Sequence, residues 1–160
     1  MNCDENNDWG KSAAGVVIRD GKVLLTRHTY GAGKGLLIIP GGYLKKGETP
    51  EEAVRREIAE ETGITAEPAA LIGMRFNKRD WYAVFRAEYV SGEARSDGDE
   101  NSEVLWLDID EALDRNDVPD LTKKIIESVK NGADYCSIPY QSRENAGEYS
   151  FYGKTAERNG

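Results

Sequence analysis

Between Gly42 and Ile64 the chain reads GYLKKGETPEEAVRREIAEETGI, and this segment limits the fold more than any other. It carries a full set of helix punctuation. Thr49 suits the N-cap, Pro50 suits the first helical position, Glu52 stands where it closes a capping box, and Gly63 supplies the stop. On that helix Glu57, Glu60 and Glu61 lie three and four residues apart, so one face carries all three carboxylates. Like charges at such spacing destabilise a helix by roughly 0.2–0.5 kcal/mol per pair. They also stand toward the C-terminal end, where the macrodipole disfavours anions. A compensating cation is expected, and a group of hard oxygen donors suits magnesium or manganese. Acidic clusters on helices are commonly just solvated faces, so the residues around the cluster must decide.

Residues 13–19 and 22–27 are β-rich runs joined by Asp20-Gly21, a hairpin signal. A glycine-rich loop follows at 29–35. Residues 36–39 predict a short buried strand stopped by Pro40-Gly41-Gly42. Beyond the helix, 69–77 and 81–90 read as a strand pair joined by Lys78-Arg79-Asp80. A polar acidic loop over 91–101 leads to a strand at 104–107 and one helical turn at 110–114. Residues 121–131 are amphipathic, with Leu121, Ile125 and Val129 at four-residue spacing, and Gly132 ends them. Strands and helices mix without strict alternation, which points to an α/β sandwich with a mixed sheet and not to a doubly wound parallel fold. Residues 133–160 carry Tyr135, Tyr140, Tyr149, Phe151 and Tyr152 without periodicity, and fit either a docked extension or a loose tail.

The pattern around the glutamates resembles the Nudix box at every constrained position: Gly42, Glu48, Arg56-Glu57, Ile58, Glu60-Glu61, Gly63 and Ile64. Pro40-Gly41 and the order of elements extend the likeness to a domain over about residues 11–132, preceded by a polar tail at 1–10 and followed by the extension at 133–160. The resemblance implies a Nudix-like α/β/α sandwich and hydrolysis of a phosphoanhydride bond in a nucleoside diphosphate derivative, such as ADP-ribose or a nucleoside triphosphate. It further implies Glu57 and Glu61 as principal metal ligands, Glu60 assisting, and the Gly41 carbonyl as another ligand. Arg56 and Glu48 would form an ion pair orienting the helix. The metal would be Mg2+, with Mn2+ as a substitute, neutralising phosphate charge and lowering the pKa of a bound water. Homodimers are common in the family. The competing reading is a module that uses the same fold to sense a nucleotide without cleaving it; degenerate box carboxylates would favour that case, and here all three are present.

A general base outside the box has two candidates, Glu100 and Glu103, in the loop before the strand at 104–107. Arg27 and Lys34 are candidates for substrate phosphates. Lys34 does not belong to a P-loop, because the spacing of Gly31, Gly33 and Gly35 is wrong and no Ser or Thr follows the lysine. Tyr82 stands where dinucleoside-polyphosphate hydrolases often place a tyrosine, although it also suits an ordinary strand. His28, the single histidine, is given no role. A net charge of −8 argues against a nucleic-acid partner, which calls for a basic footprint, and leaves a small nucleotide whose charge is met locally. The longest aliphatic run, residues 36–39, is far too short to cross a bilayer. Two well-separated cysteines, Cys3 and Cys136, form neither a disulfide framework nor a zinc site, and the first residues lack the character of a secretion signal. A cytoplasmic location is expected.

Overall fold

The computed structural model describes residues 10–140 and 150–154. Expectations for the N-terminal tail up to residue 9, and for Cys3 and Tyr149, lie outside the described residues. The Asp20-Gly21 turn joins β1 (Gly10–Arg19) to β2 (Lys22–His28). Both turn residues have positive φ, 52° and 75°, as a tight hairpin matched to strand twist requires. The chain then forms β3 (Leu37–Ile38), β4 (Gly41–Tyr43), α1 (Pro50–Thr62), β5 (Thr65–Phe76), β6 (Asp80–Ser91) and β7 (Asn101–Asp108). Two further helices, α2 (Ile109–Asp114) and α3 (Asp120–Lys130), precede the short pair β8 (Cys136–Ser137) and β9 (Tyr152–Gly153).

One mixed sheet of seven strands organises the molecule. Its main path runs β3-β2-β1-β6-β5, with β4 also on β1 and β7 also on β2. The long β1 serves three neighbours. Residues Gly10–Val17 pair in parallel with β6, Ser12–Ala14 pair antiparallel with β4, and Ile18-Arg19 pair with β2. Because side chains alternate along a strand, β1 feeds two cores. Ala13 and Val17 meet Ala53, Val54 and Ile58 of α1 on one face. Ala14 and Val16 meet Ile125 and Ile126 of α3, with Ala112 of α2, on the other. Helices on both faces make the α/β/α sandwich that the mixed pattern predicted.

Three readings differ from the structure, the first being the strand expected at 69–77, which runs Thr65–Phe76. Pro40-Gly41-Gly42 does not simply end a strand: Pro40 separates β3 from β4, and Gly41 and Gly42 are themselves strand residues on β1. A Cβ at Gly41 would lie 2.5 Å from the Ala14 Cβ, so close backbone contact and not turn formation explains that glycine. The strand expected at 104–107 starts earlier, at Asn101, and its pairing with β2 slips between Arg27 and His28. The helix punctuation behaves as its chemistry dictates. Thr49 accepts from the Glu52 N–H, the Glu52 carboxylate accepts from the Thr49 N–H, and Gly63 closes the helix in the left-handed region.

The described part of the C-terminal segment docks. Tyr135 exchanges both backbone hydrogen bonds with Leu71 at the free edge of β5. Tyr152 sets its ring edge-on to Phe85 and donates its hydroxyl to Glu51 in the first turn of α1, 2.7 Å away. No helix among the described residues is long and apolar enough to cross a membrane.

Candidate active site

Three backbone features bring the box residues to one cleft of about 560 Å³. α1 supplies Arg56, Glu57, Glu60 and Glu61; β4 and the turn after it supply Gly41, Gly42, Tyr43 and Lys45; the loops after β2 and before β7 supply Tyr30 and Glu100. The glutamates divide between two environments. Glu57 and Glu61 are buried, 8% and 5% exposed, whereas the Glu60 side chain is 56% exposed. Arg56 holds the cluster in place. Its Nε and one terminal nitrogen grip both oxygens of Glu48, at 2.7 and 2.9 Å, and that nitrogen also donates to the Tyr43 carbonyl. The other terminal nitrogen reaches Glu57 at 2.8 Å and Glu60 at 3.2 Å. The fork geometry of a guanidinium is needed for this, since an ammonium could not engage planar partners on two sides. The bond to Arg56 holds the Glu48 carboxyl down at about 2.

Glu61 lacks such a partner. Burial pushes its carboxyl up to about 9, the adjacent Glu57 charge adds to the shift, and the Gly41 N–H, donating at 3.2 Å, opposes it. Glu100 is raised too, by partial burial first and then by the Glu57 charge, so its carboxylate belongs to the same electrostatic group. The cleft therefore gathers more carboxyl groups than its one guanidinium pairs.

Among the described residues no three acidic, histidine or cysteine side chains converge as a ready ion cage, and both Glu57 and Glu60 bond Arg56. The donor chemistry nevertheless fits a divalent cation. Two adjoining buried carboxyl groups supply hard oxygen donors, and space is kept for them. A Cβ at Gly42 would lie 2.5 Å from Glu57 Oε1 and 2.7 Å from its carboxyl carbon. Gly42→Ala should accordingly leave the fold intact, because a flexible carboxylate end can move. It should lower kcat by about 100-fold, the usual scale when a reacting group is displaced by about 1 Å. A kcat within twofold of wild type would show that the Glu57 position is not critical.

Of the other sequence candidates, Glu100 reaches the cleft and Glu48 supports it from behind Arg56. Glu103 does not line it: it bonds Arg27 Nε at 2.8 Å. Arg27 also donates to Asp117 and to the Gly35 carbonyl, so its guanidinium braces the glycine-rich loop and is not brought to the cleft. Lys34 stands exposed on that loop, whose Gly31–Gly33 portion forms the wall. Tyr82 packs against the α3-side core, with Arg75 5.2 Å from its ring centre. Sequence reasoning missed Tyr30 and left His28 without a role. Both line the cleft, their ring centres 6.2 Å apart, and Tyr30 is 57% exposed. An exposed aromatic inside a glycine-rich loop was the available signal.

A family model described as the NUDIX domain matches residues 10–129. The chain is 35% identical over 130 residues to the ADP-ribose pyrophosphatase of Methanocaldococcus jannaschii, covering 74% of this chain and 73% of that one. It is 41% identical over 107 residues to a MutT-like protein of Streptomyces ambofaciens, covering 65% and 67%. Among solved structures, a NUDIX hydrolase from Nitrosomonas europaea superposes with a TM-score of 0.71 at 26% identity, over 79% of this chain and 92% of that one.

Proposed function

This chain belongs to the Nudix hydrolase family, and from that membership we propose that it cleaves the pyrophosphate bond of a nucleoside diphosphate derivative, with ADP-ribose first and nucleoside triphosphates second. Nudix hydrolases act on small nucleotides and use divalent metal ions; here we take the ion to be Mg2+, which Mn2+ can replace. The observation that carries the reading is the joining of Glu57, Glu60, Glu61 and Glu100 to one cleft, with Arg56 anchoring the helix and His28 and Tyr30 lining the same cleft. A cleft of about 560 Å³ is of the size that small-molecule sites usually have. The M. jannaschii relative, named as an ADP-ribose pyrophosphatase, supports the order of substrates.

Glu57 and Glu61 would hold the ion, with the Gly41 carbonyl, and Glu60 would join on leaving Arg56. Such an ion supplies charge neutralisation for the diphosphate and a water acidic enough to attack near neutral pH. Glu100 would accept the proton of the attacking water, since it lines the same cleft as the cluster, and partial burial and the Glu57 charge raise its carboxyl. Water adds at one phosphorus, the P–O bond of the bridge breaks, and the bridging oxygen leaves with the other phosphate. From ADP-ribose the products are AMP and ribose 5-phosphate. Tyr30, beside His28, would stack on the base.

The deciding experiment incubates the protein with ADP-ribose, other nucleoside diphosphate sugars, deoxynucleoside triphosphates and dinucleoside polyphosphates, with Mg2+ and with Mn2+, and separates the products. ADP-ribose should be turned over fastest, giving AMP. Glu100→Gln should lower kcat with little change in KM, as expected for a contact made in the transition state; Glu103→Gln should matter less. Binding without turnover of any nucleotide would instead identify a sensing module.

A further inference from the structure

The end of α1 and the start of β7 meet at one buried side chain, Asn101, which is 2% exposed. Its amide nitrogen donates to the main-chain carbonyl of Glu61 at 2.8 Å. That carbonyl is one of those at a helix end that no N–H of the helix itself reaches. The Asn101 backbone is fixed as well: its N–H donates to Asp97 Oδ1 at 3.1 Å, and its carbonyl accepts from Ser96 Oγ at 2.8 Å. Next to it, the Glu100 carbonyl accepts from both the N–H and the hydroxyl of Thr29. The register slip between Arg27 and His28 falls here, so that Glu103 faces Arg27 while Asn101 lies opposite His28. A bulge of this kind re-aims the residues on one side of it.

Asn101 is a poor choice for stability alone. Its Oδ1 is buried and finds no donor among the described residues. Turning the amide over would set oxygen against the Glu61 carbonyl, so the unpaired atom is forced by the bond that is made. An apolar side chain would remove that orphan acceptor but leave the Glu61 carbonyl without its donor, so the asparagine brings no clear gain in stability. What the asparagine supplies, and an apolar residue would not, is a fixed distance between the helix that carries Glu57 and Glu61 and the loop that carries Glu100.

We propose that Asn101 is a positioning residue for the hydrolysis: its amide ties the loop to the Glu61 carbonyl and so holds the Glu100 carboxylate against the cluster on α1. This rests on the reading of Glu100 given above. The test measures kcat and KM for Glu100→Gln, Asn101→Ala and the double variant, on whichever nucleotide of the panel is turned over fastest, with hydrogen exchange followed alongside. Asn101→Ala should lower kcat by about 10- to 100-fold, as small misplacements do, with KM within about threefold. Exchange across residues 95–101 should quicken. In the double variant the Asn101 defect should vanish, because no Glu100 carboxylate remains to be placed. Asn101→Ser, too short to reach the carbonyl, repeats the test if the alanine variant folds poorly. Normal kcat in both Asn101 variants, or defects that multiply in the double variant, would overturn the proposal while leaving Glu100 its role. A normal kcat for Glu100→Gln would overturn the reading beneath it instead.

Discussion

Glu57→Gln and Glu61→Gln are each expected to lower kcat by at least about 100-fold, the scale on which loss of a central electrostatic element is felt. Both carboxylates are buried, they adjoin each other, and of the two only Glu57 is bonded by the Arg56 guanidinium. A substrate-free measurement separates loss of the ion from loss of the fold. If magnesium is the ion, it is expected to bind the assembled site and hardly the unfolded chain, so at about ten times its Kd it should stabilise wild type by about 1.4 kcal/mol. For a chain of this size that is a melting shift of roughly 3–6 °C. Calcium should give a shift too, since the donors are hard oxygens. Glu57→Gln should abolish most of it, and its melt in EDTA reads separately what the lost Arg56 bond costs the fold. Melts with EDTA and with a magnesium titration at constant ionic strength provide the check. Equal magnesium shifts in wild type and variant would place the ion elsewhere, and normal turnover in both variants would remove these carboxylates from the reaction.

The elements readable in the sequence were those whose causes are local. The capping box of α1 needs only Thr49 and Glu52, and the first hairpin needs only Asp20 and Gly21, so residue identity at neighbouring positions decides them. β4 escaped because Gly41 and Gly42 suit a turn equally well; only the closeness of Ala14 and of the Glu57 carboxylate shows why both are glycine in a strand. Arg27 reads as a free cation until Asp117, 90 residues away, is folded against it. Glu100 and Glu103 are equivalent as letters and are separated by a register slip on β2, which composition does not encode. The docking of Tyr152 on Glu51 spans 101 residues and has no periodic signature at all. The resemblance to the Nudix box supplied a candidate site that periodicity and charge could not have assembled, and the geometry then separated its members by environment.

Arg56→Ala should cost the fold more stability than any single carboxylate exchange. The guanidinium satisfies Glu48 through two bonds and Glu57 through a third, with all three side chains less than a fifth exposed. Removing one partner of a buried pair usually costs about 3–5 kcal/mol, because the other charges stay behind in a poorly solvating site. Partial solvent access places the expectation near the lower end, about 3 kcal/mol, or a fall in Tm of roughly 6–12 °C. Arg56→Lys should fall between, since it keeps the charge and loses the fork. The pH dependence identifies the source. Glu48 titrates at about 2 in the folded chain, below its ordinary 4.5. A depressed carboxyl favours the fold above its unfolded pKa, and that contribution is lost as pH falls through 4.5 toward the folded value. The gap in stability between wild type and Arg56→Ala should thus be full at pH 7, begin to narrow near pH 5, and largely close by about pH 2. Denaturant melts of both proteins across that range test it. A gap that stays constant down to pH 2.5 would mean that the Arg56 contribution comes from packing of its stem, and that the Glu48 pair does not hold α1 in place.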